Sequence, residues 1–236
     1  MKRTTIAVRR LYRLLLDLVL PPCCVVCGKV EIWLCDGCAE QISFADRPVC
    51  PRCGDAWEGP GLCPRCRTSP LRAAPVTSVF LFQDAIRDAI HVLKYRGGVQ
   101  VVDPLSRRMA EAWRCWGLSS DLLVPVPLFS DREARRGYNQ SILLARALST
   151  RVEVPIDETI LFRTRATASQ THLGRQERWD NVRDAFACSD ARDLSGLRIT
   201  LLDDVATTGA TLDACAVALI AQGARAVSAF TLAHAL

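Results

Sequence analysis

Residues 199–211 read Ile199-Thr200-Leu201-Leu202-Asp203-Asp204-Val205-Ala206-Thr207-Thr208-Gly209-Ala210-Thr211. The run 199–205 is apolar enough to be buried on both faces, as strands of a parallel sheet are. It delivers two adjacent carboxylates, Asp203 and Asp204, to its carboxyl end, where open α/β sheets bind ligands. A loop of small residues follows, Ala206, Thr207, Thr208, Gly209 and Ala210, and a helix is expected from about Thr211. Backbone N–H groups, hydroxyls and a helix N-terminus together suit a phosphate. Gly209 permits close approach of backbone and ligand. The carboxylates do not grip phosphate themselves; they suit neighbouring hydroxyls, such as a ribose diol, or a bound Mg²⁺. A P-loop would need a Lys before its Ser/Thr, and this loop has none. The bland alternative is an ordinary strand–turn–helix, but paired acids at a buried strand end are costly without a ligand.

Outward from this stretch the pattern alternates. Strands are expected at 76–83, 122–126 and 226–232. Helices are expected at 85–95 (stopped by Gly97-Gly98), 103–116, 139–148 and 211–222 (ended by Gly223). Strands alternating with helices predict an α/β fold, a parallel doubly wound sheet flanked by helices, over 76–236. Segment 163–183 is polar, long and weakly periodic. It holds five Arg against Glu177 and Asp180, and functional loops are often this long.

The amino-terminal third is different. The chain has 12 cysteines in 236 residues, and they crowd between Cys23 and Cys66. They form four Cys-x-x-Cys pairs: Cys24/Cys27, Cys35/Cys38, Cys50/Cys53 and Cys63/Cys66. A two-residue spacer lets a tight turn aim two thiolates at one ion, and zinc takes four tetrahedrally. Two sequential four-cysteine sites over 23–67 are expected. An interleaved pairing must close longer loops. Buried thiols and an iron–sulfur cluster are the other readings. The metal role is structural, because so short a segment cannot build a good core unaided. Residues 1–22 read as an amphipathic helix ended by Pro21-Pro22, docked on its own protein or lying on a membrane surface.

Composition bounds the rest. The chain is 50% hydrophobic and 23% charged, which excludes disorder. No apolar run approaches the ~20 residues of a membrane span. Arg9, Arg10, Arg13 and Asp17 interrupt the first apolar segment, so no clean export signal is read and a reducing, cytoplasmic compartment is expected. The net charge of +5 permits acidic ligands without demanding them. In the ribbon, Arg47, Arg52, Arg65 and Arg67 offset Asp36, Glu40, Asp46 and Asp55, so charge alone is a weak sign of nucleic acid there.

The stretch 199–211 closely resembles the PRPP-binding signature of type I phosphoribosyltransferases. That resemblance implies that Asp203 and Asp204 contact the ribose 2′ and 3′ hydroxyls and that Ala206 through Thr211 hold the 5′-phosphate. The cysteine pairs, Leu93-Lys94-Tyr95-Arg96-Gly97, Val124-Pro125-Val126-Pro127, Arg135-Arg136-Gly137-Tyr138-Asn139-Gln140, and Gln170 with Arg178 and Asn181-Val182 look like the ComF competence-protein family. The resemblance runs over nearly the whole chain in the same order. It implies a double zinc ribbon joined to a type I phosphoribosyltransferase-like domain, with links to uptake of transforming DNA and use of DNA as a nutrient.

Further site residues follow from these motifs. Arg136 is expected to meet a second phosphate and Tyr138 to stack on a base, unless Asn139 merely caps a helix beside solvated arginines. Lys94 stands out in a chain with three lysines, either as a point charge for pyrophosphate or as an exposed side chain. Arg165, Gln170, Arg175 and Arg178 fall in the segment that resembles the family's mobile catalytic loop. The reading is a PRPP–Mg²⁺-binding protein transferring phosphoribosyl to a nucleobase-type acceptor. The rivals are a non-enzymatic PRPP or nucleotide module and an adapter handling single-stranded DNA with uptake proteins.

Overall fold

The computed structural model describes residues 21–166 and 174–235. The helix expected at the amino terminus, up to residue 20, lies outside them, as does Gln170.

Four strands form one parallel sheet in the order β1, β6, β5, β2: β1 Val76–Leu81, β2 Leu122–Pro125, β5 Arg198–Ala206 and β6 Ala226–His234. β5 and β6 run side by side with Asp203 beside Thr231 and Ala206 beside His234. Leu81 of β1 is also registered with His234. The carboxyl ends of three strands therefore meet where Asp203 and Asp204 emerge. Leu201 and Leu202, adjacent in sequence, point into opposite cores, and both are fully buried. Each such side chain contributes roughly 1.5–3 kcal/mol on burial, which holds β5 in the sheet interior.

On one face lie the helices Asp84–His91, Val102–Cys115 and Gln140–Val152, with Ile90, Leu105, Met109 and Leu144 in the core. On the other lies the helix Ala210–Ala221, packing Leu212, Cys215 and Leu219. The expected helix at 85–95 divides: α-helix to His91, then a five-residue π-helical turn, Val92–Arg96, closed by Gly97 in the left-handed region (φ 71°).

Three elements depart from expectation. Segment 163–183 is not one long loop, since Arg175–Val182 is helical. The Gly174 N–H donates to the Glu177 carboxylate at 2.6 Å and caps that helix. β3 Leu161–Arg163 pairs antiparallel with β4 Phe186–Cys188 in a separate two-stranded sheet. Helix Ser130–Arg136 buries no residue, so it leaves no apolar stripe to read.

The cysteine-rich segment is part of the core. Cys24 and Cys38 join the core on the face of the Val102–Cys115 helix, while Cys50, Cys53, Cys63 and Cys66 join the core on the opposite face. The chain between them crosses the outer edge of β1. The Ala45 N–H donates to the Val79 carbonyl, and the Val76 N–H donates to the Arg52 carbonyl. An edge that would otherwise offer unpaired backbone groups is covered. Among the described residues no helix is long and apolar enough to cross a membrane.

Candidate functional site

The two cysteine quartets form as sequential sets, Cys24/Cys27/Cys35/Cys38 and Cys50/Cys53/Cys63/Cys66. Each second pair opens a short helix, Asp36–Gln41 or Pro64–Thr68, with Cys35 or Cys63 as N-cap. Sulfur–sulfur separations of 3.8 Å for Cys24–Cys35 and 3.7 Å for Cys53–Cys63 match the edge of a tetrahedron built on ~2.3 Å metal–sulfur bonds. These are zinc-binding clusters.

A cavity of about 870 Å³ opens at the carboxyl end of the sheet. One wall is the loop Ala206, Thr207, Thr208, Gly209, Ala210 and Thr211. Gly209 adopts φ 78° as N-cap of the Ala210–Ala221 helix, a conformation that disfavours side chains. Thr208 is buried, with its hydroxyl 3.4 Å from the Ala210 N–H.

Asp203 and Asp204 face different partners. Asp203 Oδ1 accepts from Ser141 Oγ at 2.8 Å and from the Asp204 N–H at 2.9 Å. Burial, then the Asp204 charge, pushes its carboxyl up to about 7. Asp204 is buried and ion-paired to Lys94, whose Nζ lies 2.8 Å from Oδ2. The π-helical turn carries Lys94 into this contact and leaves Tyr95 exposed on the cavity wall.

The motif 135–140 spans two helices. Gly137, at φ 91°, ends the first. Asn139 caps the second, its Oδ1 accepting from the Ser141 N–H at 2.9 Å and its Nδ2 donating to the Val126 carbonyl at 3.0 Å. Asn139 thereby sets Ser141 against Asp203. Arg136 lines the cavity, bonded to the Gln140 side-chain carbonyl and with its guanidinium 5.8 Å from the centre of the Tyr95 ring.

Arg47, Arg132, Arg163 and Arg178 line the same cavity. Burial, with Arg132 beside it, pulls the Arg163 guanidinium below its ordinary range. One expectation fails. Tyr138 is not a cavity residue: its hydroxyl donates to the Leu93 carbonyl and its ring packs in the core. Arg165 is turned to the Arg183 carbonyl at 2.7 Å and does not line the cavity. Arg175 begins its helix. Sequence reading missed Ser141, Tyr95, Arg47, Arg132 and Asp55. Of these only Tyr95 stood inside a quoted motif, and Ser141 stood one residue beyond one.

A family model described as a double zinc ribbon domain matches residues 15–67. DNA utilization protein YhgH of Salmonella typhimurium is 32% identical over 229 residues, 93% of this chain and 100% of that protein. The chain belongs to the ComF family. Competence protein F of Haemophilus influenzae is 29% identical over 90% of this chain and 96% of that one. Among solved structures, glutamine phosphoribosylpyrophosphate amidotransferase from B. subtilis aligns at 17% identity with a TM-score of 0.39. That match takes in 57% of this chain, which spans 27% of the length of that one. The parallel sheet of this ComF-family chain is read from its own strand register.

Proposed function

We propose that the cavity binds PRPP, with the Mg²⁺ it carries, as a substrate. Asp203 and Asp204 would take the ribose 2′ and 3′ hydroxyls, and the loop Ala206 to Thr211 the 5′-phosphate on backbone N–H groups and the helix N-terminus. Arg136, Arg163 and Arg178 would face the pyrophosphate, joined by Lys94 if the ligand draws it from Asp204. The observation that carries this reading is convergence. A carboxylate pair, a phosphate-type loop and five arginines from four segments, Arg132 and Arg136 sharing one helix, line one cavity.

In the transfer step, the bond from the anomeric carbon to the pyrophosphate oxygen breaks with its electron pair leaving on pyrophosphate, a bond to the acceptor nitrogen forms, and the proton that nitrogen carried is released. Positive charge develops on the sugar ring and negative charge on the leaving pyrophosphate. Fixed guanidinium groups already in place stabilise that negative charge without reorganisation. Tyr95, exposed on the cavity wall with Arg136 against its ring, supports a flat, nucleobase-type acceptor. The relatives are named for DNA utilization and competence, so a role in handling or using incoming DNA is the cellular reading. Pyrophosphate release from PRPP–Mg²⁺ across a panel of nucleobases tests the transfer; release with none of them, from protein that binds PRPP, leaves a binding module.

One observation favours that second reading. Arg47 and Asp55, both from the cysteine-rich segment, line the cavity. A ligand there touches the ribbon as well as the sheet, which suits a module that reports PRPP or a nucleotide to single-stranded DNA or an uptake protein. Comparing single-stranded DNA affinity with and without PRPP separates the two.

A further inference from the structure

The second cysteine quartet reaches the phosphate-type loop through one side chain. Arg65 lies between Cys63 and Cys66. Its Nη1 donates to the Thr208 carbonyl oxygen at 2.7 Å. Its Nη2 lies 3.2 Å from Asp55 Oδ2. Asp55 Oδ1 is in turn 3.1 Å from Nε2 of His234, the residue registered beside Ala206. A second contact runs in parallel. Arg52 donates to the Leu71 carbonyl through Nε at 3.0 Å and Nη2 at 2.6 Å. The Leu71 side chain packs so closely on Gly209 that a Cβ there would sit 3.0 Å from Leu71 Cδ1.

We infer that Arg65 is a positioning residue, through which the second zinc cluster sets the conformation of the 206–211 loop. The Thr208 carbonyl belongs to a buried residue just before a left-handed glycine, and a buried carbonyl needs a donor. Arg65 is that donor. One planar guanidinium, carried between Cys63 and Cys66 on the short helix Pro64–Thr68, joins a carboxylate of the same segment to the loop backbone, so its place is fixed by the knuckle. A four-cysteine knuckle takes its shape only with its ligands gathered. The first quartet packs on the opposite face of the sheet. Loop order is thus tied to one zinc site of the two.

The affinity arm of the test rests on the PRPP reading; the exchange arm does not. Arg65→Gln and Arg65→Lys are compared with wild type and with Arg67→Gln. Arg67 belongs to the same knuckle, but its guanidinium lies 6.0 Å from the Trp57 ring centre, away from the loop. Zinc content, hydrogen exchange of a peptide covering 204–212, and calorimetric PRPP–Mg²⁺ affinity are measured on each. Arg65→Gln should keep two zinc ions, exchange the loop amides several-fold faster and bind PRPP about tenfold more weakly, the scale of one charged hydrogen bond. Arg65→Lys should fall between, and Arg67→Gln should match wild type. Unchanged loop exchange in Arg65→Gln with both zinc ions present overturns the inference. So does equal loosening by Arg67→Gln. If wild type does not bind PRPP, the ligand reading fails and loop exchange alone decides the role of Arg65. Should Arg65→Gln lose zinc, Arg65→Lys, which keeps a charge beside Asp55, carries the same comparison.

Discussion

Lys94 Nζ stands 2.8 Å from Asp204 Oδ2. One cation neutralises the buried member of the carboxylate pair, and it comes from a π-helical turn on a different element. The pair is therefore tolerable before any ligand arrives, with Lys94 on Asp204 and the Ser141 hydroxyl on Asp203.

Removing the cation should expose the cost. Lys94→Met leaves Asp204 buried beside Asp203 without its cation, and should lower stability by about 1–3 kcal/mol. In the Asp204→Asn background the same change should cost much less. Urea denaturation of the two single variants and the double variant measures the coupling. Additive effects would show that the ion pair does not stabilise the fold.

Asp203 should leave a signature in pH. Its carboxyl is pushed up to about 7 in the folded protein, against an unfolded value near ~4. The native state then binds the proton more tightly than the unfolded chain. Its contribution to stability is full below about pH 4, declines as the pH rises toward 7, and is lost above 7. Asp203→Asn should flatten this decline and be more stable than wild type at pH 8. Denaturant midpoints from pH 4 to 8 check it, and parallel curves for the two proteins contradict it.

The two zinc sites should differ in lability. All four cysteines of the second quartet are buried, whereas Cys27 in the first is exposed. A chromogenic chelator should draw zinc in two phases, the faster from the first site. Cys63→Ser should destabilise far more than Cys115→Ser, because Cys115 is an exposed thiol outside both quartets. Elemental analysis near zero zinc in fresh reduced protein would sink both expectations.

Tyr138 and Tyr95 should separate stability from binding. Tyr138→Phe removes a hydroxyl that donates to the Leu93 carbonyl and should cost about 1 kcal/mol of stability with nucleotide affinity unchanged. Tyr95→Ala should do the reverse, because that ring is exposed on the cavity wall. Thermal melts and nucleotide titrations on both variants check this. A shift in melting temperature for Tyr95→Ala as large as that for Tyr138→Phe goes against it.

What the sequence made legible is what local chemistry dictates. The strand into Asp203-Asp204, the loop and the helix after Gly209 are contiguous, and each Cys-x-x-Cys is a local turn. The helix Ser130–Arg136 has no apolar stripe because it buries nothing. β3 and β4 are three residues each, too short for a period to register. Arg175–Val182 hides in a polar run, since its start rests on one Glu177 cap. The missed side chains are those that only the fold assembles. Ser141 reaches Asp203 across 62 positions and Arg65 reaches Thr208 across 143. Lys94 suits either a pyrophosphate or an exposed position by sequence, and in the fold its partner is Asp204 of the same chain.

The most direct measurement is calorimetric titration of PRPP–Mg²⁺ into wild type and into Asp203→Asn/Asp204→Asn. The Asn pair keeps the shape of the strand end and removes the charges that would receive a ribose diol. Each charged hydrogen bond is worth roughly 1.5–3 kcal/mol, so the double variant should lose at least about tenfold in affinity. It should stay folded and retain two zinc ions. Equal affinity for wild type and the Asn pair would place PRPP away from the 203–211 stretch and contradict the assignment of this cavity.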